Sequence, residues 1–182
     1  MKSKKRFYIA TAVLLVAALC GTAVAFMIKE SGSRTNTFEP AFVSCEVEEK
    51  VEDNIKNSIT VKNTGNIDAF IRVRIVSYWV DKDGKIVAKP SEPVLLKTDT
   101  NNWIADTDNQ TYYCIKPVKA EESTVNMLNS DYTLQTEGDY RKVVEVFAEA
   151  IQSNPKYAVH QAWPYVEVDS NGNLKKSYLN SI

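Results

Sequence analysis

From Pro40 onward, apolar and polar residues alternate with a period of two, which is the pattern of strands that bury one face. The longest such run, 69–80, is rich in β-branched and aromatic residues and carries Arg72 and Arg74 on its polar face. Its apolar face consists of Ala69, Ile71, Val73, Ile75 and Trp79. Shorter predicted strands cover 43–47, 59–61 and 112–118. The stretch 143–151 also alternates, although its composition would suit a helix as well.

Turn residues separate these runs. Asn63-Thr64-Gly65-Asn66 is predicted to be a turn because glycine and asparagine tolerate positive φ, and hairpins are expected at Asp83-Gly84 and Asn171-Gly172. Residues 99–111 are predicted to be loop apart from Trp103 and Ile104, while 119–131 could form a short helix or cap the edge of the sandwich. A short helix is expected over 156–162, after Asn154-Pro155. Many short strands with little helix predict an all-β sandwich or barrel over residues 41–182.

The first 25 residues have the composition of a secretory signal. Four basic residues are followed by an uncharged run from Phe7 to Leu19 and then by small residues ending in Ala23-Val24-Ala25. We therefore expect a signal helix over 1–25, cleavage by a signal peptidase between Ala25 and Phe26, and export of the mature protein. The alternative is an uncleaved anchor, since the uncharged stretch from Phe7 to Ile28 is long enough to span a bilayer.

Residues 26–40 are polar and irregular and read as a flexible segment before the first strand. Such a segment cannot bury enough apolar surface to fold alone. It nevertheless contains a stretch able to lie extended, made of Thr35, Asn36, Thr37 and Phe38. We predict that this stretch acts as a donor strand for polymerisation, and the alternative is a plain linker.

Charge and composition exclude several function classes. Removing the four basic residues of the leader changes the formal net charge from −1 to −5, which argues against nucleic-acid binding. The single histidine, His160, is expected to be a partly exposed helix residue, and no His-Glu-x-x-His sequence supports a zinc protease. The loops at 81–84 and 169–173 only faintly resemble calcium loops. Trp79, Trp103 and Trp163 could form a carbohydrate platform, although Trp79 suits a core better. No cofactor, catalytic residue or metal ligand is predicted.

Several stretches together resemble the TasA/camelysin-like exported proteins of Gram-positive bacteria, closest to the BsaA-type biofilm matrix proteins, whose leaders are cut by the signal peptidase SipW. The most specific is Lys62-Asn63-Thr64-Gly65, followed closely by Asp68-Ala69-Phe70-Ile71-Arg72-Val73. The others are 21–26, 36–38, 112–118, 148–152 and 158–163. The chain departs from the family pattern at Cys114, where an aromatic residue is expected.

This resemblance implies a jelly-roll or immunoglobulin-like sandwich, secretion to the matrix or cell surface, and head-to-tail self-assembly into fibres by N-terminal strand donation. The membrane would be contacted only through the uncleaved leader. The competing functions are a monomeric surface module that binds carbohydrate or a host protein and, more remotely, a metalloprotease.

Cys45 and Cys114 remain after cleavage and could face each other across the sandwich. A bridge would close a loop of about 70 residues, worth roughly 4 kcal/mol. We expect two buried free thiols instead, because the fold of the resembled family does not depend on a bridge.

The leader generates the first testable prediction. Because the small residues at Ala23 and Ala25 fit a signal peptidase, mass spectrometry of secreted protein should place the N-terminus at Phe26. A mature protein that still begins near Met1 would contradict cleavage and support the anchor.

Overall fold

The computed structural model describes residues 40–106 and 110–177, and within them a compact unit begins at Pro40. The predicted leader, its signal helix and residues 26–39 lie outside the described residues. The strands are β1 (Cys45–Glu52), β2 (Ile55–Asn63), β3 (Ala69–Val80), β4 (Ile86–Val87), β5 (Trp103–Ala105), β6 (Thr111–Cys114), β7 (Tyr132–Thr133), β8 (Thr136–Glu137), β9 (Tyr140–Gln152), β10 (Val166–Val168) and β11 (Leu174–Lys176). Helix α1 spans Lys156–Ala162.

Two antiparallel sheets form the sandwich. One has the strand order β1-β2-β7, and the other has the order β5-β6-β3-β9-β8, with β4 also pairing with β3. Both sheets contribute apolar side chains to one shared core, and its buried members include Ile59, Val61, Ile71, Val73, Tyr112, Met127 and Val144. The prediction of an all-β sandwich is therefore confirmed.

Strand β3 is the centre of the larger sheet. It pairs with β9 along its whole length, from Ala69 opposite Gln152 to Val80 opposite Arg141, and with β6 on its other side. One face of β3 contributes to the shared core, as its alternation predicts. Phe70 lies on the opposite face of β3 and packs with Tyr113 of β6 in a second cluster. Helix α1 and the β10–β11 hairpin cover this cluster. Because both faces of β6 are covered, all four of its residues are buried and its sequence shows no alternation.

Three strand predictions need correction. The strand expected over 112–118 ends at Cys114, after which the chain turns and Val118 rejoins β3 through two backbone hydrogen bonds with Ala69. The stretch 99–111 is predicted to be loop apart from Trp103 and Ile104; these two residues lie in β5, which pairs with β6, but Ala105 and Thr111 also belong to strands. Val43 is not on a buried face, because it precedes β1 and 39% of its surface is exposed.

The structure decides between the alternatives that the sequence left open for 119–131 and 143–151. Residues 119–131 form no helix, and the backbone amides of Thr124 and Met127 cap the edge of β2 by binding the carbonyls of Val61 and Ile59. The stretch 143–151 is part of β9, whose Val146, Ala148 and Ala150 pack on the shared core. Helix α1, the β3–β4 pairing and the β10–β11 hairpin lie where the sequence predicts them.

Candidate functional site

The chain enters the sandwich through residues 40–44, which are held by the turn 63–66. The amide of Thr64 binds the carbonyl of Ser44, and the amide of Asn66 binds the carbonyl of Phe42 at 3.2 Å. The side chain of Asn66 completes this contact, because its Oδ1 accepts the Phe42 amide at 2.8 Å and its Nδ2 donates to the Pro40 carbonyl at 3.1 Å. Residues 40–44 therefore continue the line of β1 beyond Cys45. We call residues 40–44 together with Gly65 and Asn66 the exit clamp.

Gly65 is required in the exit clamp for space and not for its backbone conformation. The predicted turn lies between β2 and β3, but it does not use the tolerance of glycine and asparagine for positive φ, since no residue of 63–66 is among the described residues with positive φ. A Cβ atom at Gly65 would lie 2.6 Å from the Phe42 carbonyl oxygen and 3.0 Å from the Ser44 nitrogen. Only glycine allows the turn to approach the incoming chain this closely.

Asn63 attaches the turn to the body of the sandwich. Its side chain is fully buried, and its Nδ2 donates to the carbonyls of Ile67 at 2.8 Å and Val118 at 2.9 Å. Its Oδ1 accepts the Gly65 amide at 3.0 Å. An asparagine satisfies this site because it offers two donors and one acceptor in a fixed plane.

The second feature of the site is the outer edge of β9. Backbone groups of successive residues in an antiparallel strand point to opposite sides. The amide of Ser153 binds Asp68 next to β3, whereas the amide of Lys142 binds Gln135 next to β8. Odd-numbered residues of β9 therefore bond to β3, and even-numbered residues point outward. β8 covers only Tyr140 and Arg141.

Most of this outer edge is open. In residues 40–106 and 110–177, no backbone group pairs with the outward amides and carbonyls of Val146, Ala148 and Ala150. The outward carbonyl of Val144 binds the buried ammonium of Lys56 at 3.1 Å, and Lys56 also forms an ion pair with Glu49 of β1. Lys56 therefore closes one end of the open edge, and the stretch beyond it toward Gln152 remains available for pairing.

Strand β1 is the corresponding edge of the smaller sheet. Because Ser44 bonds to Thr64, the outward backbone groups of this edge belong to Cys45, Val47 and Glu49. The Cα atoms of β1 and β9 approach within 8 Å, and Cys45 lies near Glu149. A strand inserted between two others would hold them about 9.6 Å apart. β1 and β9 are therefore too close for a strand to fit between them, and an added strand must extend one of the two sheets at its edge.

The two edges differ in their side chains. The exposed face of β1 carries Glu46, Glu48 and Lys50, and charged residues on an edge discourage pairing with other chains. On the outer face of β9, Glu145 binds the hydroxyl of Tyr78 at 2.7 Å and Glu149 pairs with Arg72. These carboxylates are held by β3, and Phe147 between them is 52% exposed. The β9 edge is thus the better acceptor of an extended segment.

The remaining sequence-predicted residues are placed as follows. The predicted cleavage site and the predicted polymerisation segment both lie outside the described residues. The first comprises Ala23, Ala25 and Phe26, and the second comprises Thr35, Asn36, Thr37 and Phe38. Cys45 on β1 and Cys114 on β6 lie on opposite sheets and contact the same core. Both are free thiols as expected, but only Cys114 is buried, because Cys45 lies on the edge strand β1 and is partly exposed. Burial raises the pKa of Cys114 to about 11. The pKa of Cys45 is also raised, mainly by burial and to a smaller extent by the negative charge of Glu149. Both thiols are therefore protonated at neutral pH and are weak nucleophiles.

A comparison of the chain with protein-family models, curated proteins and solved structures finds no match. The candidate site therefore rests on the geometry of this chain alone.

The other candidate chemistry has structural explanations. Asp81 and Asp169 each accept two backbone amides inside their own hairpin turns, at 2.8–2.9 Å. The three tryptophans are all buried, with at most 7% exposure, so the idea of a tryptophan platform for carbohydrate is wrong. His160 is half-buried on α1 as predicted, and its Nδ1 lies 3.2 Å from the Val166 carbonyl.

Two searches of the described residues complete this description. Residues 40–106 and 110–177 contain no group of three side chains able to hold a metal ion. In the same part of the chain, no helix is both long and apolar enough to cross a membrane.

Sequence reasoning missed the open edge of β9 and the role of Asn66. The alternation of 143–151 identifies a strand, but a one-sided apolar pattern occurs in both edge and interior strands. In the sequence, Asn66 is recognisable only as part of the turn Asn63-Thr64-Gly65-Asn66. A turn pattern does not show which other segment of the chain the turn binds.

Asn63 provides the second testable prediction. Asn63→Ala leaves the Gly65 amide and the Ile67 carbonyl without their partner, whereas the Val118 carbonyl keeps its bond from the Ala69 amide. The free energy of unfolding should therefore fall by about 2 kcal/mol, at roughly 1 kcal/mol for each group left unpaired. Asn57→Ala on the same strand is the control and should change it by less than about 0.5 kcal/mol. Urea unfolding of both variants measures this, and equal losses would contradict the anchoring role.

Proposed function

We propose that this protein is an exported structural subunit that polymerises head to tail outside the cell. Cleavage by a signal peptidase frees residues 26–39, and their extended part pairs with the β9 edge of the next copy. Pairing of this kind joins different surfaces of two copies, so it continues into a filament and does not close into a dimer. The resemblance to exported fibre-forming matrix proteins agrees with this proposal.

The observation that carries the proposal is the unpaired outer edge of β9. An exposed row of amides and carbonyls is a template for another strand. An incoming backbone would satisfy these groups by strand addition, which provides affinity through the main chain and specificity through alternate side chains. Val146, Ala148 and Ala150 are only partly buried, so a donor strand would also cover the margin of the shared core.

The donor segment is attached at a suitable place. The exit clamp delivers the chain to Pro40 beside the end of β9, because Asn66 is two residues before Asp68, whose carbonyl binds Ser153. Residues 26–39 number 14 and can extend to at most about 50 Å. This length is sufficient to reach a neighbouring copy of the sandwich.

A monomeric binding module for carbohydrate or a host protein is the second candidate, favoured only by the exposed Phe147 and Val76 on the outer face of the larger sheet. Burial of all three tryptophans removes the clearest carbohydrate-binding surface suggested by the sequence. A metalloprotease is the remotest alternative, and the sequence provides no motif for one.

Deletion of residues 26–39 tests the donor, and a proline tests the acceptor. We expect the deletion variant to remain a folded monomer by electron microscopy and sedimentation, and to bind one synthetic peptide of residues 26–40. Ala148→Pro in the deletion variant should weaken that binding at least about tenfold, because proline removes an outward amide and obstructs the edge.

Val47→Pro is the matched control, since it alters an outward amide of β1 instead of β9. Circular dichroism and thermal unfolding establish that each variant folds, and Ala150→Pro replaces Ala148→Pro if the latter does not. Filaments formed by the deletion variant at the wild-type rate would overturn the donor. Peptide binding lost with Val47→Pro and kept with the β9 variants would overturn the assignment of the acceptor.

A further inference from the structure

We infer that a notch in the larger sheet binds the free C-terminal carboxylate of an extended peptide. The notch lies on the side of β3 that faces β4 and β6, whereas the proposed acceptor edge is on β9. The inference therefore adds a binding site to the subunit and does not depend on the proposed function. It rests on Ser77, an unpaired residue in the middle part of β3, and on the nearby guanidinium of Arg74.

The notch exists because β3 extends beyond its neighbours on this side. Strand β6 pairs with residues 72–74, and the amide of Ile75 binds the Gln110 carbonyl. Strand β4 pairs only with Trp79 and Val80. Ile75 and Trp79 are four residues apart, which corresponds to about 13 Å along a strand. A long added strand cannot enter this gap, because β4 and β6 close its two ends.

Ser77 is the residue that the gap leaves unpaired. Odd-numbered residues of β3 direct their amides and carbonyls to this side, as the two bonds between Ala69 and Val118 show. In the register of β4, Lys89 would lie opposite Ser77, but its amide binds the Val87 carbonyl instead. Within the part of the chain that the structure describes, no group bonds to the amide or the carbonyl of Ser77.

The surroundings of Ser77 favour an anion. A cavity of about 260 Å³ opens at this position, and its lining includes Arg74, Val76, Ser77, Ser91, Pro93 and Gln110. Arg74 is exposed opposite Phe147 of β9, and none of the described carboxylates pairs with its guanidinium. Arg72, on the same face of β3, is by contrast paired with Glu149. The notch therefore offers an unpaired amide and an unpaired positive charge to one ligand.

The last residue of a peptide complements these groups. In an antiparallel pair, the amide and carbonyl of one residue bond to the carbonyl and amide of the residue opposite. A terminal residue can make both bonds with Ser77, because its amide donates to the Ser77 carbonyl and its carboxylate accepts the Ser77 amide. The negative charge then lies toward Val76 and Arg74, since the amide is on the N-terminal side of Ser77. A chain that ends there does not collide with Gln110.

The notch also restricts the final side chain of the ligand. Side chains of opposite residues lie on the same face of a sheet, about 5 Å apart. The final side chain would therefore lie beside the Ser77 hydroxyl, which is 3.2 Å from the Ser91 hydroxyl. A small final residue fits this position better than a large one.

Acetylated trialanine with a free carboxyl group is the probe, and its C-terminal amide is the matched control. Added to isotopically labelled protein, the acid should shift the Ser77 amide resonance saturably and slow the exchange of that amide. Amidation should weaken binding at least about tenfold, because it removes the charge that Arg74 and the Ser77 amide recognise.

Arg74→Gln should weaken binding of the acid by a similar factor. Arg141→Gln is the control variant and should leave binding unchanged, because it alters another exposed arginine of the same sheet. Both side chains are exposed, so both variants should fold like the wild type.

Equal binding of the acid and the amide, or a Ser77 resonance that neither one shifts, would overturn the inference. Acetate that binds as tightly as the acid would show an anion site without recognition of a peptide. Glucuronate that binds where the acid does not would indicate an acidic sugar. Each of these two results would also overturn the inference, and none of the outcomes bears on strand addition at β9.

Discussion

Strand β9 is hydrogen-bonded to β3 along one side and has an open edge over most of the other. The β3–β9 ladder spans Ala69–Val80 and places Val146 and Ala148 against the shared core. The backbone amides and carbonyls of these same residues point outward, away from β3. The residues whose side chains line the margin of the shared core are therefore also the residues that form the open edge. A strand that filled the edge would both satisfy the backbone and complete the core.

The smaller sheet shows how the protein limits pairing elsewhere. Its edge strand β1 has a charged outer face, and the far side of β2 is capped by residues 122–128. Lys56 occupies one end of the β9 edge by binding the Val144 carbonyl. Charges, a covering loop and a lysine are common means of protecting strands from aggregation. They leave β9 as the edge most suited to specific pairing.

Local sequence patterns predicted the elements but not their neighbours. The run 69–80 and helix 156–162 were predictable because periodicity and a preceding proline act within a few residues. The end of β6 at Cys114 was not, because it depends on contacts with Asn102 and Leu174 far along the chain. The open edge of β9 and the function of Gly65 likewise depend on which distant strand or segment lies beside them, which no local pattern encodes.

Residue-resolved hydrogen exchange along β9 tests the central claim most directly, by comparing monomer with filament. In the monomer, the outward amides of Val146, Ala148 and Ala150 should exchange rapidly, while the amides of Glu145, Phe147 and Glu149, which face β3, are protected. In the filament, all six should be protected. Outward amides that still exchange rapidly in filaments would contradict strand addition at β9.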